Sequence, residues 1–521
     1  MLGALLLLLQ ATPALPRPVA PAPREHPQLT ILVVVDQMRP DYFTRFGAQF
    51  TGGFRRILDT GTLYLAGRQD HAMTETAPGH STLLSGRNPA ATGILSNDNG
   101  VNDSTYPIVG GGTGDAASPL RFQGTTLFDW MLARDPATRV FSVSRKDRGA
   151  ILPVGRAKTD VYWWTGGRWG TSRYYRDTLP GWLQRYNTRP GWRQFLGAAW
   201  RPLLPDSAYP ERDSVPWEHR GRDFTFPHLA PADSATMSWR IIYYPWMDSL
   251  TLDVALEGAR QVGLGQRADG TDLLVVSLST TDRMGHDYGP DSREMHDHLL
   301  RLDRWLGWFA DSLGRLVPAE RTLWVLSADH GVQSWAEHTR DAGGQAGRVS
   351  FWPMVDTLRR ELRARWHTDF SLAEEDGLIY GDVAAMRDRG IDVGALAARL
   401  ASAAHRYEGV WNVYTPRTLA RAPRTAPEAG YWRRAIPPGQ GWLIAASIRP
   451  GYVWGHTDHG STNLLDRAVP IAFWGWHVRP ARPAREARTV DIAPTLAALL
   501  GLAPTQAVEG RPLPELVRAR R

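Results

Sequence analysis

A repeated alternation of short apolar runs with helix-like segments constrains the fold of this chain more than any other feature. The runs are rich in Val, Ile and Leu, and they lie at residues 29–36, 139–144, 272–279, 322–329 and 469–475. Such runs are typical of strands buried on both faces of a parallel sheet. Between them, segments such as 291–314 and 491–501 carry apolar residues at helical spacing. We therefore predict an α/β fold, in which a mostly parallel sheet is sandwiched by helices.

Length and composition favour one large domain with insertions. The chain has 521 residues, and we predict a single α/β domain over residues 29–505. Residues 155–262 are rich in Trp, Tyr, Pro and Arg, while residues 336–455 mix helical segments with Pro-rich loops. We interpret both stretches as insertions that build a cap over the edge of the sheet. The 22 Trp residues could form a stacking surface for bases or sugars, but packing is the favoured interpretation.

Residues 1–22 are predicted to be a signal peptide. A run of about eight mostly leucine residues precedes small and proline-rich sequence, and it is too short to span a bilayer, which needs about 20 apolar residues. A disordered apolar tail is the alternative, because the usual positive charge before the run is missing. The absence of cysteine also suits an oxidising compartment. We expect a periplasmic or secreted protein, and no other long apolar run predicts an integral membrane segment.

The charge balance argues against a nucleic-acid partner. The chain carries 60 Lys and Arg against 53 Asp and Glu, a formal net charge of +7, and no block of like charges forms a basic arm. A weakly basic surface can still attract small anionic substrates. Lysine itself is rare, since only Lys146 and Lys158 occur. Each retained lysine is therefore a candidate for a specific role.

Acidic and histidine residues follow the predicted strands, at the sheet edge where α/β proteins bind ligands. Each alone is more often a helix cap, a turn former or a solvated side chain, but their joint placement after separate strands favours a metal site. Carboxylate and imidazole ligands without thiolate suit Zn²⁺, with Mn²⁺ and other divalent ions less favoured. The candidates are sufficient for two sites, and they are Asp36, Asp282, His286, Asp329, His330 and His459.

Thr76 is the candidate nucleophile. It precedes a Pro-Gly turn in HAMTETAPGHSTLLSG, at the start of a predicted helix. A hydroxyl there faces free backbone N–H groups and the positive end of the helix dipole, an arrangement that suits an attacked phosphate. The alternative is an ordinary threonine N-cap. Because threonine is a weak nucleophile at its free pKa, it needs activation, and the candidate metal cluster can supply it.

Seven ordered motifs resemble those of the alkaline phosphatase superfamily. They are VVVDQMRPDY, TETAPGHST, LSNDN, SRKDRGAI, DRMGHDYGP, ADHG and DHGST. The resemblance is strongest to the PafA-like alkaline phosphatases, a branch near the type I phosphodiesterases and nucleotide pyrophosphatases. It spans residues 29 to about 505 and ends in DIAPTLAALLG, which is similar to the family's C-terminal helix.

The resemblance implies two zinc ions per chain. One would be surrounded by Asp36, Thr76, Asp329 and His330, and the other would be held by Asp282, His286 and His459. His456 lies three residues before His459 and could be mistaken for it, but the position before Gly-Ser favours His459. Thr76 would attack phosphorus to give a phosphothreonine intermediate, and the second zinc would stabilise the leaving oxygen before it activates water.

Three further residues are implied to bind substrate. Asn97 resembles the family asparagine that binds a phosphoryl oxygen, and Lys146 with Arg148 matches a pair that contacts the remaining non-bridging oxygens. These charges favour a monoester dianion over a diester, which presents less negative oxygen. Lys146 would also occupy the region that a third metal fills in other alkaline phosphatases. The alternative is that Lys146 is one of two accidental lysines.

The resemblance therefore predicts an alkaline phosphatase that hydrolyses small phosphate monoesters, with a monomer favoured. The alternative is a phosphodiesterase or nucleotide pyrophosphatase of the same superfamily, which would share the zinc ligands and the threonine. A sulfatase is disfavoured, because TAPGH has Thr and His where that family needs an oxidised Cys or Ser and an Arg. A phosphonate hydrolase and a silent glycan-binding module are weaker alternatives.

Overall fold

The computed structural model describes residues 26–455 and 458–517. The predicted signal peptide and His456 lie outside these residues. Across the described ranges, no helix combines the length and the apolar character that crossing a bilayer requires.

The strands alternate with helices along most of the described chain. In chain order the strands are β1 (Leu29–Val35), β2 (Thr62–Tyr64), β3 (Gly67–Arg68), β4 (Ile108–Val109), β5 (Val140–Ser144), β6 (Asp160–Trp164), β7 (Trp169–Ser172), β8 (Ala199–Trp200), β9 (His228–Leu229), β10 (Asp272–Leu278), β11 (Thr322–Ser327), β12 (Gly347–Val349), β13 (Leu372–Glu375), β14 (Leu378–Gly381), β15 (Val410–Tyr414), β16 (Trp442–Ile448), β17 (Tyr452–Trp454), β18 (Ile471–Gly475) and β19 (Ala487–Arg488). The α-helices are α1 (Tyr42–Arg45), α2 (Gly53–Thr60), α3 (Thr76–Leu83), α4 (Pro89–Thr92), α5 (Leu127–Arg134), α6 (Asp147–Ile151), α7 (Gly181–Asn187), α8 (Ser234–Arg240), α9 (Trp246–Val262), α10 (Thr280–Asp287), α11 (Arg293–Gly314), α12 (Ala336–Asp341), α13 (Trp352–Trp366), α14 (Val383–Asp388), α15 (Val393–Ala404), α16 (Pro416–Arg421), α17 (Pro427–Ala435), α18 (Leu464–Arg467), α19 (Ile492–Leu500) and α20 (Pro514–Val517).

The central sheet has nine strands in the order β2-β18-β11-β1-β10-β5-β6-β7-β4. Its middle five strands, from β11 to β6, are parallel, and Val33 of β1 pairs with both Val276 and Leu326. The predicted α/β fold with a mostly parallel sheet is confirmed. The run at 469–475 differs from expectation, because β18 is antiparallel to β11. The chain enters β18 from the carboxyl-end side, where His459 lies, so the strand has to run back.

Helices cover both faces of this sheet, as the alternation along β5 shows. Phe141 points to one face and packs against Gly258 of α9. Ser142 points to the other face, where its hydroxyl donates a hydrogen bond to the carbonyl of Ala150 in α6. The five central strands are almost entirely buried, which explains their continuous apolar sequence.

The two predicted insertions differ in structure. Residues 155–262 include β6 and β7, which extend the central sheet, and α9, which packs on its face, so this range is not wholly a cap. Their burial in the main core explains the aromatic sequence. Residues 336–455 instead contain a separate antiparallel sheet, β13-β14-β16-β15, with its own hydrophobic core that includes α13 and α15. A third apolar cluster joins this smaller lobe to the segment before α3, through Met73, Leu95, Tyr380 and Trp432.

Candidate metal centre and phosphate pocket

Four charged residues follow neighbouring parallel strands at the carboxyl end of the central sheet. Asp36 follows β1, Lys146 follows β5, Asp282 lies in the first turn of α10 after β10, and Asp329 follows β11. Because parallel strands end at the same edge, the four side chains converge there. All four are buried.

The first possible metal group consists of Asp36, Asp329 and His330. One ligand atom from each lies within 4.8 Å of the others. The Nε2 atom of His330 is 3.5 Å from Asp36 Oδ1 and 3.8 Å from Asp329 Oδ2. His330 Nδ1 lies 2.9 Å from the carbonyl oxygen of Gly331, which fixes the ring with Nε2 toward the carboxylates.

The second group consists of Asp282, His330 and His459 by the same criterion. His286 is also close, since its Nε2 lies 3.2 Å from Asp282 Oδ1, and its ring centroid is 5.1 Å from that of His459. The carbonyl of Thr74 lies 2.9 Å from His459 Nδ1 and orients that ring. All six predicted ligand side chains therefore meet at one place, with His330 between the two groups.

The chemistry of this donor set fits divalent cations. Asp36 Oδ1 and His330 Nε2 are buried atoms that have no hydrogen-bond partner among the described residues, and the buried Asp329 Oδ2 is approached by the His80 ring at 3.1 Å. Buried polar atoms are normally satisfied, so atoms that are not are candidates for a ligand. A metal ion bound by oxygen and nitrogen ligands would satisfy these three atoms together.

The charges of the site act strongly on one another. Burial, together with Asp282 and Asp329, raises the pKa of Asp36 to about 6. Burial also acts on Asp282, but Lys146 and His286 outweigh it and hold the pKa of that carboxyl well below its usual range. Burial, with His330 and His286, lowers the pKa of His459 and favours the neutral imidazole that binds metals.

Thr76 is the first residue of α3, and it lines the same pocket as Asp282 and His459. The N-cap is Glu75, whose side chain makes no capping bond, so Thr76 is not an ordinary N-cap. Lys146 Nζ donates a hydrogen bond to Thr76 Oγ1 at 2.9 Å. The same ammonium lies 2.6 Å from Asp36 and 2.8 Å from Asp282. Lys146 thus links the hydroxyl to a carboxylate from each group.

Asn97 and Arg148 lie at the same pocket. Asn97 Oδ1 accepts a hydrogen bond from the backbone N–H of Ala77, and the Asn97 backbone N–H donates to Glu75. Arg148 lies in the first turn of α6, 3.4 Å from Asp147. The pocket has a volume of about 440 Å³, and its lining includes Thr76, Asn97, Lys146, Arg148, Asp282, His286 and His459.

The sequence and the structure of the chain match those of known phosphatases and phosphodiesterases. The model of the type I phosphodiesterase / nucleotide pyrophosphatase family matches residues 30–367. Alkaline phosphatase PafA of Elizabethkingia meningoseptica is 30% identical over 99% of this chain and 97% of its own length. Alkaline phosphatase PhoV of Synechococcus elongatus is 29% identical over 96% of this chain and 94% of its own. The crystal structure of wild-type PafA has a TM-score of 0.84 at 28% identity, and it covers 94% of this chain and 99% of that chain.

The chain belongs to the PafA-like alkaline phosphatases. The predicted membership of this family and the predicted enzyme class, a phosphate monoester hydrolase, are therefore confirmed. A PafA variant with one threonine, one asparagine, one lysine and one arginine replaced also matches, with a TM-score of 0.85. The spacing within the threonine–asparagine pair and within the lysine–arginine pair is the same as in Thr76 with Asn97 and Lys146 with Arg148.

In this alkaline phosphatase, two further residues orient the ligands, and sequence reasoning did not find them. His80 Nδ1 lies 3.1 Å from Asp329 Oδ2, and its Nε2 lies 2.8 Å from Ser277 Oγ. The four-residue spacing from Thr76 puts His80 on the same face of α3, a signal that was available. Gln37 donates from its backbone N–H to Asp329 and from Nε2 to Asp282. Its φ of +66° is a tertiary feature without a sequence signal.

Proposed function

We propose that the protein hydrolyses phosphate monoesters, with two zinc ions per chain and Thr76 as the nucleophile. The observation that carries the proposal is the position of the Thr76 hydroxyl, 2.9 Å from a lysine that also contacts Asp36 and Asp282. Zinc is proposed because the donors are carboxylate oxygen and imidazole nitrogen without thiolate. When bound, the ions would supply Lewis-acid charge and lower the pKa of a hydroxyl or a water.

Substrate binding would be the task of three side chains that line the pocket. Lys146 and Arg148 would hold non-bridging phosphoryl oxygens by charge-assisted hydrogen bonds, and Asn97 would donate to another. The contact between Asn97 Oδ1 and the Ala77 N–H fixes the carboxamide at the start of α3. Arg148 adds a second cation beside Lys146, so a dianion would bind better than a monoanion.

Thr76 Oγ1 would attack phosphorus in line with the leaving oxygen. A bond from Thr76 to phosphorus forms, the ester P–O bond breaks, and the alcohol takes a proton. The product is a phosphothreonine. Water then attacks the same phosphorus, which restores the Thr76 hydroxyl and releases inorganic phosphate. Lys146 stays within hydrogen-bond distance of Thr76 Oγ1, where negative charge develops in both steps.

The decisive experiment compares a monoester with a diester. The zinc-loaded enzyme should have a higher kcat/KM for phenyl phosphate than for methyl phenyl phosphate, and chelation should abolish both activities until zinc is restored. A preference for the diester would instead support a phosphodiesterase or nucleotide pyrophosphatase, the activity after which the matching family is described. Turnover that is indifferent to chelation would contradict the metal assignment.

We also propose that the enzyme acts as a periplasmic or secreted protein on small-molecule esters. The leucine run at the N-terminus and the absence of cysteine support export. Expression of the full chain in a Gram-negative host, followed by osmotic shock, should release the processed protein with the periplasmic fraction. Retention of the unprocessed chain in the cytoplasm would contradict export. A monomer is the state we expect by gel filtration.

A further inference from the structure

The pocket extends beyond the residues that would hold a phosphoryl group. Its volume of about 440 Å³ falls within the range of sites that take whole small molecules. The additional wall is formed by Arg145, Trp163, Trp164, Arg283 and a segment at Gly114. This wall would face the leaving group of a bound ester.

Three of the four cations in the pocket already have anionic partners. Lys146 contacts Asp36 and Asp282, while Arg148 lies 3.4 Å from Asp147. Arg283 is paired through two guanidinium nitrogens with Asp287, the last residue of α10. Each of these three cations therefore has a carboxylate oxygen of the protein within 4.0 Å.

Arg145 is different. Among the described residues no carboxylate oxygen lies within 4.0 Å of its guanidinium nitrogens. Its Nε is enclosed and has no hydrogen-bond partner, and Nη2 makes a long contact of 3.5 Å with the carbonyl of Ser279. Asp282, Asp36 and Asp248 act on the guanidinium only from beyond 4.0 Å. An enclosed charge without a direct ion-pair contact is unfavourable, and the cost is offset when an anion binds it.

Arg145 lies beside α10, whose Asp282 and His286 belong to the ligand group that the resemblance assigns to the leaving oxygen. Ser279 immediately precedes α10, which carries Asp282 and His286, so the guanidinium lies along the wall made by that helix. Trp164 stands edge-on against Trp169, with ring centroids 5.3 Å apart, and its enclosed Nε1 has no acceptor among the described residues. The wall thus offers a cation and an unused N–H donor. Asp115, the remaining acid of the lining, is exposed.

We propose that Arg145 forms a second anion subsite, and that the preferred substrates are phosphate monoesters whose leaving group carries another negative group, a carboxylate or a phosphate. This inference rests on the proposed monoesterase function and names its substrate class. Lys146 and Arg148 are the cations proposed to hold the phosphoryl oxygens, so the guanidinium of Arg145, which has no direct ion pair among the described residues, remains for the second anion. The indole N–H of Trp164 can serve as a further donor to it.

The test compares two aryl phosphates of nearly the same shape, 3-carboxyphenyl phosphate and its methyl ester. In the second substrate only the carboxylate is methylated, and the phosphate group is unchanged. For each zinc-loaded enzyme, kcat/KM is measured with both substrates, and the value for the free carboxylate is divided by the value for the methyl carboxylate. The ratio cancels differences in active fraction, so partial misfolding of a variant does not affect it. Arg145→Met should lower the ratio about 10-fold relative to the wild type, as expected for loss of one charged hydrogen bond. Arg145→Lys should retain part of it.

Arg168→Met is the matched control, because Arg168 is an exposed arginine in the turn between β6 and β7 and is not part of the pocket lining. Its ratio should equal that of the wild type. An unchanged ratio in Arg145→Met, or an equal fall in Arg168→Met, overturns the second subsite while leaving the monoesterase proposal intact. Failure of the wild type to hydrolyse either ester overturns the monoesterase proposal itself, and the subsite with it.

Discussion

The two ends of the central sheet differ in the hydrogen-bond donors that they offer to a buried aspartate. At the amino end, Asp272 begins β10 and accepts hydrogen bonds from the backbone N–H groups of Arg139 and Gly265, and Arg267 lies 3.2 Å away. At the carboxyl end, Asp36 follows the adjacent strand β1, and neither of its oxygens has a hydrogen-bond partner among the described residues. Both carboxylates are buried. The structure satisfies one of them and leaves the other dependent on Lys146.

This difference separates a structural carboxylate from a functional one. The hydrogen bonds that Asp272 accepts from backbone N–H groups join β10 to the neighbouring segments, so the role of this carboxylate is structural. Asp36 is surrounded by further charged groups, and burial with Asp282 and Asp329 raises its pKa to about 6. Burial and strand position alone do not distinguish the two residues. The supply of hydrogen-bond donors does, and it marks the carboxyl end as the place that needs a ligand.

The largest expected effect at the carboxyl end comes from Thr76→Ala. Turnover of phenyl phosphate should fall by about 10⁴-fold or more, because the variant has no nucleophile. Phosphate binding should persist, because Lys146, Arg148 and Asn97 are unchanged, and isothermal titration with inorganic phosphate checks it. Near-wild-type turnover in this variant would rule out the covalent route.

Asp36→Asn and Asp272→Asn test the comparison directly. Asp36→Asn should lower zinc affinity by about 10²-fold or more, measured by competition with a chelator, because it removes a charged ligand. Asp272→Asn should leave zinc affinity unchanged and lower the free energy of unfolding by about 1–3 kcal/mol, since the amide cannot accept all three contacts.

Thermal unfolding of the metal-free proteins completes that pair. Asp272→Asn should have the lower Tm of the two variants. A larger loss of Tm in Asp36→Asn would mean that the carboxyl-end carboxylate is itself a structural group, and the distinction between the two ends would fail.

Lys146→Met and Arg267→Met compare the cation that contacts Asp36 at the carboxyl end of the sheet with the cation that contacts Asp272 at the amino end. Lys146→Met should lower kcat/KM for phenyl phosphate by about 10²-fold, the scale for one charge-stabilising donor, and should affect methyl phenyl phosphate much less. Arg267→Met removes the ion pairs to Asp272 and Asp135 and should leave both activities unchanged. Equal losses on the two substrates in Lys146→Met would contradict a role in monoester selectivity.

The smallest expected effect is a change in stability with pH that arises from Asp248, a buried residue that binds the first residue of α10. Its Oδ1 accepts hydrogen bonds from the N–H and the hydroxyl of Thr280, and burial raises its pKa to about 7. A raised carboxyl pKa means that folding favours the proton, so stability is lost as pH rises from about 4 through 7.

Asp248→Asn should not show that loss. The free energy of unfolding of the variant, relative to the wild type, should rise by on the order of 1 kcal/mol between pH 5 and pH 8 in the metal-free protein. Urea unfolding at a series of pH values measures it. A difference that stays constant with pH would show that Asp248 does not titrate in this range.

Much of the fold followed from apolar periodicity alone. The five predicted runs became β1, β5, β10, β11 and β18, with ends that shift by no more than two residues. Periodicity reports burial but not direction, so the antiparallel β18 was not predicted. It also did not separate β6 and β7 from an insertion, because a short strand rich in Trp looks the same in sequence whether it joins the main sheet or a cap.

The candidate metal ligands could be predicted from the sequence, but the residues that orient them could not. Asp36, Asp282 and Asp329 each follow a strand, a pattern visible in sequence. The ring orientation of His80 depends on Ser277, which is 197 residues away, and the left-handed conformation of Gln37 depends on two distant carboxylates. Contacts of this kind exist only after the strands are in register.

The sequence by itself determined the fold class, the family and the set of chemical groups available for catalysis. The position of a residue at the end of a strand and the order of the motifs are properties of short segments, so they can be derived from the amino-acid sequence alone. Only the tertiary structure decided which charges are neutralised. It gave Asp272 its backbone donors, put Lys146 between two carboxylates and, among the described residues, left Arg145 without a carboxylate oxygen within 4.0 Å. Such pairing depends on distances between residues that are far apart in the chain.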